Sequence, residues 1–131
     1  MIKIGMSSKY NFIYGTVTLK DMWLDEARKE MELLFLYMDR YRQTVCYEGV
    51  YYSEFTPNDK GLYISMAEEM DVKELLEPRF HKALWRFLYS HNGDKRLLDE
   101  FKSHGARLYV NYSKTDDYMI IARTVTVSKI N

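Results

Sequence analysis

Lys20 to Gln43, KDMWLDEARKEMELLFLYMDRYRQ, is the stretch whose reading decides the fold. Trp23, Ala27, Met31, Leu34, Met38 and Tyr41 recur in it at helical spacing. Thr18 serves as an N-cap, with Asp21 three residues on in the manner of a capping box. Asp21 and Asp25 near the start and Arg40 and Arg42 near the end suit the helix dipole. The pattern predicts one long helix over about 20–43. Its second half, MELLFLYMDRY, is apolar almost all round, because Leu33, Leu36 and Tyr37 fall outside the main stripe. A helix apolar on every side must be covered on every side, by its own domain or by a second chain. Leu33, Leu36, Tyr37 and Tyr41 are therefore the expected interface. Leu34 is expected deep in the core, with Leu34→Ala costing about 2–5 kcal/mol.

Around this stretch the signals are those of strands and turns. MIKIGM alternates, with Ile2, Ile4 and Met6 on one face, and YNFIYGTVTL follows a turn at Ser7, Ser8 and Lys9. Together they predict a first hairpin, with one long bent strand as the competing reading. CYEGVYYSEF, the turn TPNDKG and LYISM predict a second hairpin. Asp71 can cap a short helix over 72–77. Pro78 opens a second long helix with Phe80, Leu84, Phe87, Leu88 and His91 as its stripe, and Asn92-Gly93 stops it. Asp94 caps a third, short helix, KRLLDEFKSH, that ends at Gly105. RLYVNY and YMIIARTVTV, joined by SKTDD, form the last hairpin. The order ββ-α-ββ-α-α-ββ predicts a single α+β domain over 1–131: an antiparallel or mixed sheet of hairpins, with two long helices and one short helix packed on it.

Composition limits the function. Apolar residues make up 47% of the 131 and aromatics 15%, enough for a sizeable core and too much for a disordered chain. Twelve tyrosines suit half-buried sheets and interfaces, and eight methionines suit irregular packing. Nineteen basic residues balance nineteen acidic ones, without the positive excess of a duplex-coating protein. Zero net charge also favours self-association. Cys46 is the single cysteine, which excludes an intrachain disulfide and a thiolate zinc site. A reducing, cytoplasmic setting and a buried, inert thiol are the expectations. The N-terminus lacks the apolar core of a signal peptide, and no apolar run approaches a membrane span.

Catalytic signals are absent from the pattern. His81 and His91 are ten residues apart, and neither they nor His104 form a metal-binding pair. His81, four residues after Glu77, suits a helical ion pair. Glu68, Glu69 and Asp71 precede a helix, and Asp116 and Asp117 sit in a turn, where carboxylates cap and bend the chain. No nucleophile elbow, phosphate loop or dinucleotide fingerprint occurs, and no cofactor is implied. One constellation stands apart. A five-residue connection in the last hairpin would set Tyr112 opposite Tyr118, Val110 opposite Ile120, Leu108 opposite Ala122 and Arg107 opposite Arg123. Arg107, Tyr109, Asn111 and Arg123 would then share a face that could hold an anionic small molecule, a nucleic acid or a partner's carboxylate, with Arg79 or Arg86 as further contributors. The competing reading is a register slipped by one, or arginines paired with acids of the same chain.

The expected function is a small, non-enzymatic interaction protein that self-associates and binds another protein. Its size and its Met/Tyr/Lys-rich style suit a viral or mobile-element accessory factor. The alternative is a binder of a small anionic ligand or nucleic acid through the Arg/Tyr face of the last hairpin.

Overall fold

A computed structural model describes residues 2–4, 11–13 and 15–128. Its elements are β1 (Ile2–Ile4), β2 (Val17–Asp25), β3 (Glu30–Tyr37), β4 (Tyr41–Ser53), β5 (Tyr63–Ile64), β6 (Met66–Asp71), α1 (His81–Ser90), α2 (Arg96–Ser103), β7 (Arg107–Tyr112) and β8 (Asp117–Val127). The class is α+β and mostly strand. The predicted turn at Ser7, Ser8 and Lys9 lies outside the described residues.

The long first helix is not formed. Residues 20–43 make most of β2, all of β3 and the start of β4. Within β3, Met31, Leu33 and Phe35 are buried while Glu32, Leu34 and Leu36 are half-exposed, a period of two. The apolar residues at 34 and 36 fill in the other face and mimic a helix greasy on every side. Two turns divide the stretch. Met38 and Asp39 both have positive φ, 54° and 56°. The Arg40 N–H donates to the Tyr37 carbonyl at 3.2 Å, closing a type I′ hairpin turn without its usual Asn-Gly. In the β2–β3 turn the Asp25 carboxylate accepts from the Arg28 N–H at 3.1 Å, and Lys29 takes φ 56°.

The first two predicted hairpins also give way to longer-range pairing. β1 lies antiparallel to β8, Ile2 opposite Val127. β4 pairs with β3 and β8 rather than with LYISM. The sheet runs β5-β2-β3-β4-β8-β7-β6, with β1 beside the far half of β8. Its two ends belong to one extended segment: Ile64 pairs with Val17 of β2, and Met66 with Tyr112 of β7. The intervening Ser65 N–H donates to the Tyr112 carbonyl at 2.9 Å. The sheet therefore returns on itself as a barrel, closed at β5 by the short pairing with Val17 and Thr18. The second edge of β6 is bridged by Asn11 opposite Glu68, with the Phe12 N–H on the Ala67 carbonyl at 3.0 Å.

Strand alternation sorts the apolar side chains into two cores. One fills the barrel and includes Phe12, Leu19, Leu33, Phe35, Val45, Tyr47, Ile64, Tyr109, Ile120 and Val125. The other lies between the outer face of β6–β7–β8 and the helices, where Met70, Leu108, Val110, Met119 and Ile121 meet Leu75, Phe80, Phe87, Leu98 and Phe101. Here the prediction holds closely. Asp71 caps a 3-10 turn at Val72–Leu76 in a capping box with Glu74, and Pro78 opens the 3-10 turn that leads into α1.

Candidate functional site

The last hairpin forms, but its connection spans 113–116 and its register is one residue from the predicted one. Arg107 faces Ala122, Tyr109 faces Ile120, Asn111 faces Tyr118 and Tyr112 faces Asp117. Arg107 and Arg123 are therefore not opposed. Arg123 is exposed and lies across Gly49, where a β-carbon would come within 2.7 Å of its Nε. Gly49 (φ 63°) leaves room for that close approach. Arg107 instead pairs with Glu69 at 3.1 Å, the acid of the same chain that the competing reading anticipated.

Three of the four predicted ligand residues do share a place: Arg107, Tyr109 and Asn111 line the barrel side of β7. Glu69 and Tyr47 join them, and neither was singled out from the sequence. Tyr47 and Tyr109 meet edge to face at 5.3 Å, and Phe12 meets Tyr109 at 5.9 Å. The Tyr47 hydroxyl, one Glu69 carboxylate oxygen and both amide atoms of Asn111 are buried without a hydrogen-bond partner among the described residues. Burial pushes the Tyr47 hydroxyl well above its ordinary range, opposed by the nearby Asn111 amide, whose approach stops short of a well-formed hydrogen bond. Burial also raises Tyr109, helped by the Glu69 charge. It raises Glu69 against the pull of Arg107. With Arg107 already neutralised, the cluster offers an anion no free cation.

The predicted interface residues scatter. Leu33 is fully buried inside the barrel and touches no surface, which corrects that expectation; inward strand alternation puts it there. Leu34 is half-exposed, so the large cost predicted for Leu34→Ala transfers to Leu33 and Phe35. Leu36 points outward and is half-exposed. Tyr37 packs against the barrel core, beside Tyr41 with ring centroids 6.4 Å apart.

The histidines and carboxylates serve local structure. His81 Nδ1 lies 3.2 Å from the Pro78 carbonyl, while Glu77 takes Arg79 at 3.1 Å. His91 stacks on Phe87 at 4.3 Å and His104 on Tyr51 at 6.3 Å. Among the described residues no group of three or more His, Cys, Asp or Glu side chains could hold a metal ion. Arg86 fastens α1 to the sheet: its Nε reaches Glu54 at 2.7 Å and its Nη2 donates to Glu54 at 3.1 Å and to the Asp117 carbonyl at 2.9 Å. Glu54 also accepts from the Tyr52 hydroxyl and the Met119 N–H. Every oxygen of that carboxylate is in use, so the cluster is a clamp.

Two surfaces remain. On α1, Trp85 is 72% and Tyr89 90% exposed, one turn apart on the side turned away from the core. Lys82 lies one turn before Trp85 on the same side and has no ion-pair partner among the described residues. From Pro78 to Leu97 the chain carries Arg79, Lys82, Arg86, Lys95 and Arg96 against Asp94 alone. The opposite character occurs on the outer face of β2–β3–β4. Asp25, Glu30 and Glu48 stand in line across the three strands, and Trp23, Glu32 and Cys46 form the next outward row. Like charges placed directly opposite destabilise a sheet. Arg28 reaches Asp25 at 3.8 Å; Glu30 and Glu48 have no ion pair among the described residues. The Cys46 thiol registers this field: burial first, then Glu32, Glu48 and Glu30, push it up to about 11.

Comparison with protein-family models, with curated proteins and with solved structures returns no match in any of the three. Among the described residues no helix is long and apolar enough to cross a membrane.

Proposed function

We propose that this chain is a non-enzymatic interaction protein that binds another protein through the outer face of α1. The observation that carries the reading is the near-complete exposure of Trp85 and Tyr89 side by side. Monomeric proteins seldom leave two large aromatics in water on one helix face, and Trp and Tyr are the residues that anchor interfaces. Lys82, without an ion-pair partner among the described residues, adds a positive charge to that face, which suits an acidic protein. The reading through Arg107 and Arg123 loses its support, since those arginines share no face and Arg107 is already paired. A nucleic acid is the less favoured occupant of α1, because the aromatics sit on a convex helix with few unpaired cations to follow a phosphate backbone.

The test compares partners enriched by the wild type with those enriched by Trp85→Ala/Tyr89→Ala, each candidate then being purified and titrated. An acidic protein should bind the wild type and lose roughly 30- to 1,000-fold in affinity on the double variant, with an unchanged melting temperature. Equal binding to both forms, or retention of nucleic acid in place of protein, overturns the reading.

A further inference from the structure

We propose that the acidic outer face of β2–β3–β4 receives the α1 face of a second copy, so that the chain assembles head to tail. The inference rests on α1 being a docking surface and names one occupant for it. Each surface sets exposed aromatic bulk beside charge. On α1 these are Trp85 and Tyr89 beside Lys82. On the sheet it is Trp23, 50% exposed, beside Glu30, Glu32 and Glu48, with Asp25 shared with Arg28. The aromatic parts can lose water together while Lys82 meets the carboxylates, and this match selects each face as the complement of the other.

Neither face suits its own copy. Setting α1 against α1 brings two Lys82 ammonium groups together, and setting sheet against sheet doubles a row of carboxylates already crowded across three strands. An isologous dimer is therefore disfavoured on both sides, and the heterologous contact is the one that neutralises charge. The two faces also cannot meet within one molecule. Going round the barrel in the order β5/β6, β2, β3, β4, β8, β7, strand β3 lies three strands from β7. The helices cover β6–β7–β8, so α1 and the acidic row project from opposite sides of the barrel. A heterologous contact between opposite sides does not close into a dimer; it stacks copies in line. A contact of this kind is screened by salt.

Sedimentation velocity of the full chain, from micromolar to several hundred micromolar, tests this. The wild type should grow past dimer with concentration and shrink toward monomer when salt is raised to about 0.5 M, where the screening length falls to a few ångströms. Lys82→Glu alone and Glu30→Lys/Glu48→Lys alone should each stay monomeric, because each variant's two faces then repel. An equimolar mixture of the two should recover the larger species, since every face again meets its opposite. A wild type that stays monomeric, a species that stops at dimer, or a mixture that fails to recover overturns the head-to-tail contact. Circular dichroism of each variant confirms that it is folded before it is scored. A monomeric wild type whose α1 still binds an acidic protein would sink this inference alone. Loss of both would sink the docking reading beneath it.

Discussion

Inside the barrel, Tyr47, Glu69 and Asn111 bury polar atoms that lack hydrogen-bond partners among the described residues; beneath α1, Arg86 and Glu54 use every group they have. Both regions are apolar cores built on the same strands, since β7 and β8 send alternate residues to each. The difference teaches where the fold tolerates imperfection. The Arg86 clamp beneath α1 is saturated and Lys102 of α2 pairs separately with Asp71 at 3.0 Å, so helix placement depends on polar geometry as well as on the apolar core. The barrel is held by the long pairings among β2, β3, β4, β8, β7 and β6 and can carry an unfinished polar cluster at its centre.

The comparison can be broken by removing bulk from each core. Phe87→Ala should cost about 3–5 kcal/mol and Leu33→Ala about 2–5 kcal/mol in urea unfolding, both as a single transition. Two separable transitions in either variant would show that the cores fold independently in spite of their shared strands. Leu34→Ala should cost well under half of Leu33→Ala, and equal costs would contradict the strand alternation of β3. Arg86→Met leaves the Glu54 carboxylate, mostly buried, without its main partner, and should cost about 1–3 kcal/mol. Within the barrel, Tyr47→Phe should change stability by less than about 1 kcal/mol or raise it, because it removes a hydroxyl that nothing satisfies. A loss above 2 kcal/mol would mean that the hydroxyl is satisfied in solution. The last expected change is chemical, in a rate rather than in stability. With its pKa near 11, Cys46 should be alkylated at pH 8 roughly a hundred times more slowly than a free thiol, and Glu30→Gln/Glu48→Gln should speed it.

The C-terminal half of the chain was legible because its punctuation is local. Pro78, Asn92-Gly93 and Gly105 mark the ends of helices whose stripes are unambiguous, and Asp71 caps where a cap was expected. Residues 20–43 were not legible, because Met31, Leu33, Phe35 and Tyr37 follow a strand period while Leu34 and Leu36 blur it. The turn at Met38-Asp39 carries none of the usual glycine or asparagine signal; only the chain reversal itself demands its positive φ. Barrel closure was out of reach for another reason. It pairs Ile64 with Val17 and Met66 with Tyr112, contacts fixed by no local pattern. Of the four residues expected on one face, the alternation of β7 places Arg107, Tyr109 and Asn111 together, while a one-residue register error put Arg123 with them. Glu69 could have been found as the residue opposite Tyr109 on the neighbouring strand, once that strand was known to be β6.

Strand β8 pairs with β1, β4 and β7, so three parts of the barrel wait for residues 117–127. During synthesis the β2–β3–β4 meander emerges long before its partner, leaving one edge of β4 uncovered. At ordinary translation speeds that exposure lasts roughly 3–13 seconds. An uncovered strand carrying Val45 and Tyr47 is a template for a neighbouring nascent chain on the same message. The interval between the fourth strand and the eighth, rather than the finished barrel, is when this polypeptide most needs protection from its own copies.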